Sequence, residues 1–139
     1  MQVLVDTCIW SLALRRQAKH LSVGEALLRE ELGNIVEEGR AQLIGPIRQE
    51  LLSGIRDAAQ FERLRENLRA FPDEPLTIPD YELAAGLGNQ CRAAGIAGSA
   101  VDFLICAVAT ERNWPIFTCD EDFKAYGRAF PIGLFTPRH

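Results

Sequence analysis

The chain has 139 residues, 47% hydrophobic and 24% charged, proportions that fit one domain with one continuous core and exclude a disordered or two-domain chain. Its net charge of −4 excludes a uniformly basic nucleic-acid-binding module. No apolar run reaches the roughly 18 residues that a membrane span needs.

The first element is a short aliphatic strand, Val3, Leu4 and Val5, which stops at Asp6. The spacing of Ile9, Trp10, Leu12 and Leu14 then predicts a helix. Ser22 followed by Glu25 has the form of a capping box, opening a helix whose apolar stripe runs from Ala26 to Val36 and ends near Gly39. Residues 41–44 read as a second strand. Gly45 and Pro46 turn the chain into a helix carrying Ile47, Glu50, Leu51 and Leu52, which ends at Gly54.

Residues 57–71 form an amphipathic helix with Phe61, Leu64 and Leu68 on one face. Residues 76–78 are expected to form a third strand, and Asp80 to cap a helix over 81–94. Ser99 caps an apolar helix that runs to about Asn113, where Pro115 forbids continuation. Ile116, Phe117 and Thr118 make a fourth strand. Asp122 is expected to cap a short turn around residues 123–126, and residues 133–135 to form a last strand.

Strands alternating with helices predict an α/β fold, a mostly parallel sheet of about five strands with helices on both faces. Ligands of such sheets bind beyond the carboxyl ends of the strands. Asp6 and Asp120 fall at that end of their strands, and the helices holding Glu50 and Asp102 are expected to start on the same side.

These four acids are the candidate site. Each emerges from a segment otherwise destined for burial, and a carboxylate near a core is retained when it is paired, hydrogen-bonded or bound to a metal. Each also has a structural reading. Asp6 is placed to cap the first helix, and Thr7 beside it shares either task. Glu50 reads as a glutamate favoured by the dipole of the first turn, with Gly54 on the same face leaving room beside its carboxylate. Asp102, three residues after Ser99, reads as a capping-box acid beside an apolar run. In the segment from Thr118 to Phe123, Asp120 is the candidate ligand, Asp122 the helix cap and Glu121 plain surface. Thr118 is placed to orient a water or a carboxylate.

Cys8, Cys91, Cys106 and Cys119 form no C-x-x-C pair and have no histidine at zinc spacing, so they are expected to be reduced, mostly buried thiols of a cytoplasmic protein. The opening MQVLVDTCIW lacks a basic start and carries Asp6 within its apolar stretch, so no secretory leader is expected. His20 lies in a polar stretch and His139 is the last residue; neither is assigned as a general base. Thirteen of the fifteen basic residues are arginine, the side chain suited to bidentate phosphate contacts. Arg15, Arg16, Arg48 and Arg92 are the candidates, each equally readable as part of a solvated helix face.

Val-Asp-Thr at the start, Glu-Leu-Leu-x-Gly in the second helical region, Ser-Ala-x-Asp opening an apolar helix and Thr-x-Asp-x-Asp-Phe near the end occur in this order over nearly the whole chain. Together they resemble the PIN-domain family and, within it, the VapC-type toxins of bacterial toxin–antitoxin pairs. The resemblance implies a single PIN-like nuclease domain over 1–139, with Asp6, Glu50, Asp102 and Asp120 as its acidic cluster and Thr118 as the polar residue beside it. Relatives vary in the last motif, so Asp120 and Asp122 both stand as the fourth acid. It further implies a homodimer, a VapB-like antitoxin whose C-terminal segment covers the cleft, and DNA contact only through that antitoxin. Trp10, Leu12 and Leu14 are candidates for the antitoxin groove as well as for the core.

All-oxygen ligands select Mg²⁺ or Mn²⁺. The expected activity is endonucleolytic hydrolysis of RNA, leaving a 5′-phosphate and a 3′-hydroxyl. Two further readings stand beside it: a non-toxin PIN nuclease of RNA processing, and a non-catalytic co-repressor whose acids clamp a basic partner. A phosphotransfer domain of the response-regulator type is disfavoured because no aspartate follows Asp6 by two residues.

Overall fold

The computed structural model describes residues 1–138; His139 lies outside the described residues. Three parallel strands, β1 (Val3–Val5), β2 (Ala41–Gln42) and β3 (Ile116–Phe117), are arranged in the order β2-β1-β3. The helices are α1 (Thr7–Leu14), α2 (Val23–Glu37), α3 (Gly45–Leu52), α4 (Ala58–Leu68), α5 (Ile78–Ala93), α6 (Ala100–Arg112) and α7 (Asp122–Tyr126). A 3₁₀ turn at Ala18–His20 joins α1 to α2.

All three residues of β1 are fully buried, as a central strand covered on both faces requires, which explains its unbroken aliphatic sequence. The expected capping box opens α2: Glu25 N–H donates to Ser22 Oγ at 3.1 Å and Ser22 N–H to Glu25 Oε1 at 3.0 Å. α1 packs against both α2 and α3, and α5 lies along α6.

The sheet has three strands instead of about five. Each outer position is reduced to one parallel bridge, Leu43 with Asp73 on one side and Ile116 with Leu134 on the other. Residues 76–78 form no strand, because Thr77 is the N-cap of α5 and Ile78 and Pro79 already belong to its first turn. Proline suits that turn, where its missing N–H has no helical partner. Asp80 is the third residue of α5 and not its N-cap; its Oδ2 accepts the Thr77 N–H at 2.9 Å.

Asp80 is only 1% exposed and is held by Arg112 at the end of α6, whose Nη1 and Nη2 each donate to it at 2.9 Å. Arg112 also reaches Glu74 and the Pro75 carbonyl, which ties the chain before α5 to the end of α6. This guanidinium lowers the Asp80 carboxyl from 3.8 to about 2. The pair's stabilisation is therefore complete above the unfolded-state value and is lost as pH falls towards 2. Arg112→Ala is expected to cost about 3 kcal/mol in urea unfolding at pH 7, since it strands a buried carboxylate. The contribution of the Asp80 charge, about 2 kcal/mol at neutral pH, should fade between about pH 5 and pH 2 when wild type is compared with Asp80→Asn.

Candidate active site

The site begins with strand register. Leu4 lies opposite Ile116 and Val5 opposite Phe117, so the next step beyond the sheet sets Asp6 against Thr118. Asp6 is 5% exposed, and its two oxygens are both engaged. Oδ2 accepts the Thr118 hydroxyl at 2.7 Å and Oδ1 the Thr7 N–H at 2.7 Å. The Cys8 thiol adds a longer contact to Oδ2 at 3.6 Å, and the capping and site readings of Asp6 coexist, since a carboxylate with about four acceptor positions keeps capacity after three hydrogen bonds.

Thr7 carries the connection onward, its hydroxyl donating to Glu50 Oε1 at 2.7 Å. Glu50 sits in the last turn of α3, not the first, where an acid gains nothing from the helix dipole. Gly54 is not on the same helix face either. It lies past the end of α3 in a left-handed conformation, φ 84°, which glycine adopts without a steric penalty. Gln49 and Ser53, neighbours of Glu50 at the end of α3, line the same cleft.

Asp102 stands in the first turn of α6, its N–H donating to Ser99 Oγ at 3.1 Å. Its carboxylate does not close a capping box; Oδ2 takes the hydroxyl of Tyr126 at 2.5 Å. Tyr126 is fully buried, packed edge-on to Phe123 and tilted against Phe103. Gly98 is required at this spot, since a Cβ there would lie 2.6 Å from Phe103 and 2.8 Å from the Tyr126 hydroxyl.

In the last motif the expected roles of two acids change. Asp120 Oδ1 accepts the Asp122 N–H at 2.9 Å, so Asp120 secures the entry to α7 while Asp122 is its first residue and no cap. Asp120 N–H in turn donates to Thr118 Oγ1 at 3.0 Å, linking this loop to Asp6 through one hydroxyl. Glu121 is exposed and pairs with Lys124, as a surface residue does.

Asp6, Glu50, Asp102 and Asp120 all line one cleft of about 680 Å³, together with Thr7, Cys8 and Val101. The tightest grouping is Asp102, Asp120 and Asp122, each offering a carboxylate oxygen within 4.8 Å of the others. Asp122 does not line the cleft, which favours Asp120 as the inward-facing acid. Burial raises the Asp6 carboxyl above its ordinary value, with the charge of Asp102 adding to the rise and the Thr118 and Thr7 hydrogen bonds opposing it. Burial also raises Asp102, against the Tyr126 hydrogen bond and with help from the charges of Asp120 and Glu50. Asp102 thus shares charge repulsion with Asp6, Asp120 and Glu50. An oxygen-only donor set under mutual repulsion fits a hard divalent cation, which relieves both burial and repulsion.

Arg48 is not free for phosphate: it binds Asp73 at 2.9 Å and the Leu68 and Phe71 carbonyls. Arg16 pairs with Glu25 and Arg92 bonds Asn89, while exposed Arg15 makes no ion pair among the described residues. Trp10 and Leu12 are core residues, Trp10 donating its indole N–H to the Val5 carbonyl and meeting Phe71 edge-on. Leu14 is half-buried. Cysteine burial is split, with Cys91 and Cys106 inside, Cys8 intermediate and Cys119 exposed. Ser11, Ser53 and Tyr126 went unnoticed in the sequence. Helical spacing from Thr7 and Glu50 signals the two serines, whereas nothing local to Tyr126 announces its partner 24 residues earlier.

Carboxylates converging beyond the carboxyl edge of a parallel sheet define an acidic-cleft α/β domain. The chain belongs to the PIN-domain family, a family of nucleases, whose sequence profile matches residues 3–129. Among solved structures it is similar to FitAcB from Neisseria gonorrhoeae (TM-score 0.75, 21% identity, 99% of each chain). It is likewise similar to VapBC2 from Rickettsia felis, bound to a DNA fragment from its promoter (0.72, 16%, covering 97% of this chain and 98% of that one). A third is a toxin–antitoxin complex from Klebsiella pneumoniae (0.67, 17%, 99% of each chain). No curated protein matches the chain at a significant level. No helix among the described residues is long and apolar enough to cross a membrane.

A carboxyl raised by burial favours the fold below its unfolded-state value and disfavours it as pH climbs through the folded one. In chelator at pH 7, Asp102→Asn should therefore unfold at higher urea than wild type, by about 1 kcal/mol. The gain should disappear below pH 4, and Mn²⁺ should stabilise wild type but not the variant.

Proposed function

We propose that this PIN domain is a Mg²⁺- or Mn²⁺-dependent endoribonuclease of the VapC type, acting as the toxin of a toxin–antitoxin pair. The observation that carries the reading is the convergence of Asp6, Glu50, Asp102 and Asp120 on one cleft. Asp6, Asp102 and Asp120 would hold the cation, with Glu50 at the exposed mouth. A divalent cation there supplies charge neutralisation and Lewis acidity for hydrolysis of a phosphodiester.

The chain's own groups do the positioning. Thr118 fixes the Asp6 carboxylate and the Asp120 backbone together, Tyr126 fixes Asp102, and Thr7 fixes Glu50. Such outer partners set how firmly a cation is held. Ser11, Gln49 and Ser53 bring neutral hydrogen-bonding groups to the cleft wall, suited to phosphate and ribose oxygens that a purely anionic wall would repel. Cleavage would leave a 5′-phosphate and a 3′-hydroxyl.

The cytoplasmic partner would be a VapB-like antitoxin that places a basic side chain among the carboxylates, with the nuclease acting as a homodimer. Promoter DNA would be reached through that antitoxin, a reading supported by similarity to the DNA-bound complexes VapBC2 and FitAB.

With Mg²⁺, the purified protein should cleave RNA to 5′-phosphorylated fragments, and EDTA should abolish this. Asp6→Asn and Asp102→Asn should each lower the rate at least about 100-fold. Undiminished cleavage in EDTA would contradict the metal's role, and full growth arrest by Asp6→Asn would contradict catalysis as the cause of toxicity.

A further inference from the structure

Two thiols flank the acids and have no part in the chemistry above. Cys8 is the second residue of α1 and lines the acidic cleft, while Cys119 lies exposed between Thr118 and Asp120. The Cys119 N–H donates to Cys8 Sγ at 3.1 Å, which seats the Cys119 backbone against the Cys8 thiol. Cys8 Sγ also stands 3.6 Å from both Asp6 Oδ2 and Thr118 Oγ1.

We propose that Cys8 and Cys119 are an oxidation site, a dithiol that peroxide converts to a disulfide at the edge of the acidic cleft, loosening the acids' hold on a cation. The second half rests on the metal-dependent nuclease reading. One N–Cα bond of about 1.46 Å beyond the amide nitrogen keeps Cys119 Cα within about 4.6 Å of Cys8 Sγ. Bringing the sulfurs to the bonded distance of about 2.05 Å then needs rotation of the Cys119 side chain with a small loop shift, and no change in β1 or β3.

The exposed Cys119 thiol attacks hydrogen peroxide first, breaking the O–O bond and giving Cys119 sulfenic acid and water. Cys8 sulfur then attacks the Cys119 sulfur; the S–O bond breaks, its oxygen leaves as a second water with the Cys8 proton, and the S–S bond forms. Two thiols lose two electrons and one peroxide gains them. Cys91 and Cys106, both fully buried, are out of the oxidant's reach.

The bond draws Cys8 Sγ away from Asp6 and pulls on Cys119, whose two neighbours in sequence are Thr118 and Asp120. Thr118 is the hydroxyl that locks Asp6 to the Asp120 backbone, so the strain falls on the parts that align the acids. Disturbing such outer partners typically costs 10- to 100-fold in metal affinity.

The test uses the full chain, treated with equimolar hydrogen peroxide, blocked with N-ethylmaleimide and mapped by peptide mass, with Mn²⁺ affinity measured before and after. Wild type, unfolded in urea for the blocking step, should lose two of its four free thiols to a Cys8–Cys119 crosslink, Cys119→Ser should form no crosslink, and dithiothreitol should restore both thiols. Oxidation should weaken Mn²⁺ binding about tenfold or more in wild type and leave Cys119→Ser unmoved. A Cys91–Cys106 crosslink, or sulfinic acid at Cys119 without a crosslink, overturns the site. A crosslinked protein with undiminished Mn²⁺ affinity overturns the coupling. Reduced protein that binds no Mn²⁺ refutes the metal reading and the coupling with it, while the crosslink still stands or falls on the masses.

Discussion

One carboxylate at the end of the central strand organises this molecule. Asp6 is 5% exposed at the tip of a fully buried strand, a position where an unpaired charge costs several kcal/mol. It is tolerated because the neighbouring strand delivers the Thr118 hydroxyl and α1 delivers the Thr7 amide. The same two residues pass the constraint outward, Thr118 to the Asp120 backbone and Thr7 to Glu50. The sheet register thus places not one acid but a connected set. Asp102 joins from α6, anchored separately by Tyr126.

Hydrogen bonding alone does not neutralise the set. Burial raises both Asp6 and Asp102, and each feels the negative charge of its neighbours. The fold stores that repulsion at one cleft while placing a buried ion pair, Asp80 with Arg112, on the link between the chain before α5 and the end of α6. Stability and site are therefore built from opposite uses of the same group: Asp80 is lowered by an arginine, whereas the cleft acids have no arginine among the residues that line it.

Much of this was legible in the sequence because it is local. The aliphatic run ending at Asp6, the Ser22–Glu25 capping box and Ser99 before the apolar helix each state their structure within a few residues. The four acids were legible as a set because parallel strands gather their carboxyl ends on one side. What failed depended on distant partners or on competition between neighbouring signals. Residues 76–78 look like a strand, but Thr77 and Pro79 start a helix there, and the outer strands shrink to single bridges. Arg48 looked free until the fold brought Asp73 and two carbonyls to it. The securing of the α7 entry passed from Asp122 to Asp120, which keeps its place in the cleft, because an Asx-type bond two residues along the chain is no less local than a cap.

The most direct test is an anomalous difference map from a crystal soaked in Mn²⁺. Cation binding by the converging acids places a peak in the cleft within about 2.2 Å of carboxylate oxygens from Asp102 and at least one of Asp6 and Asp120. A peak confined to the outer side of Asp120 and Asp122, or none near Asp6 and Asp102, would contradict it.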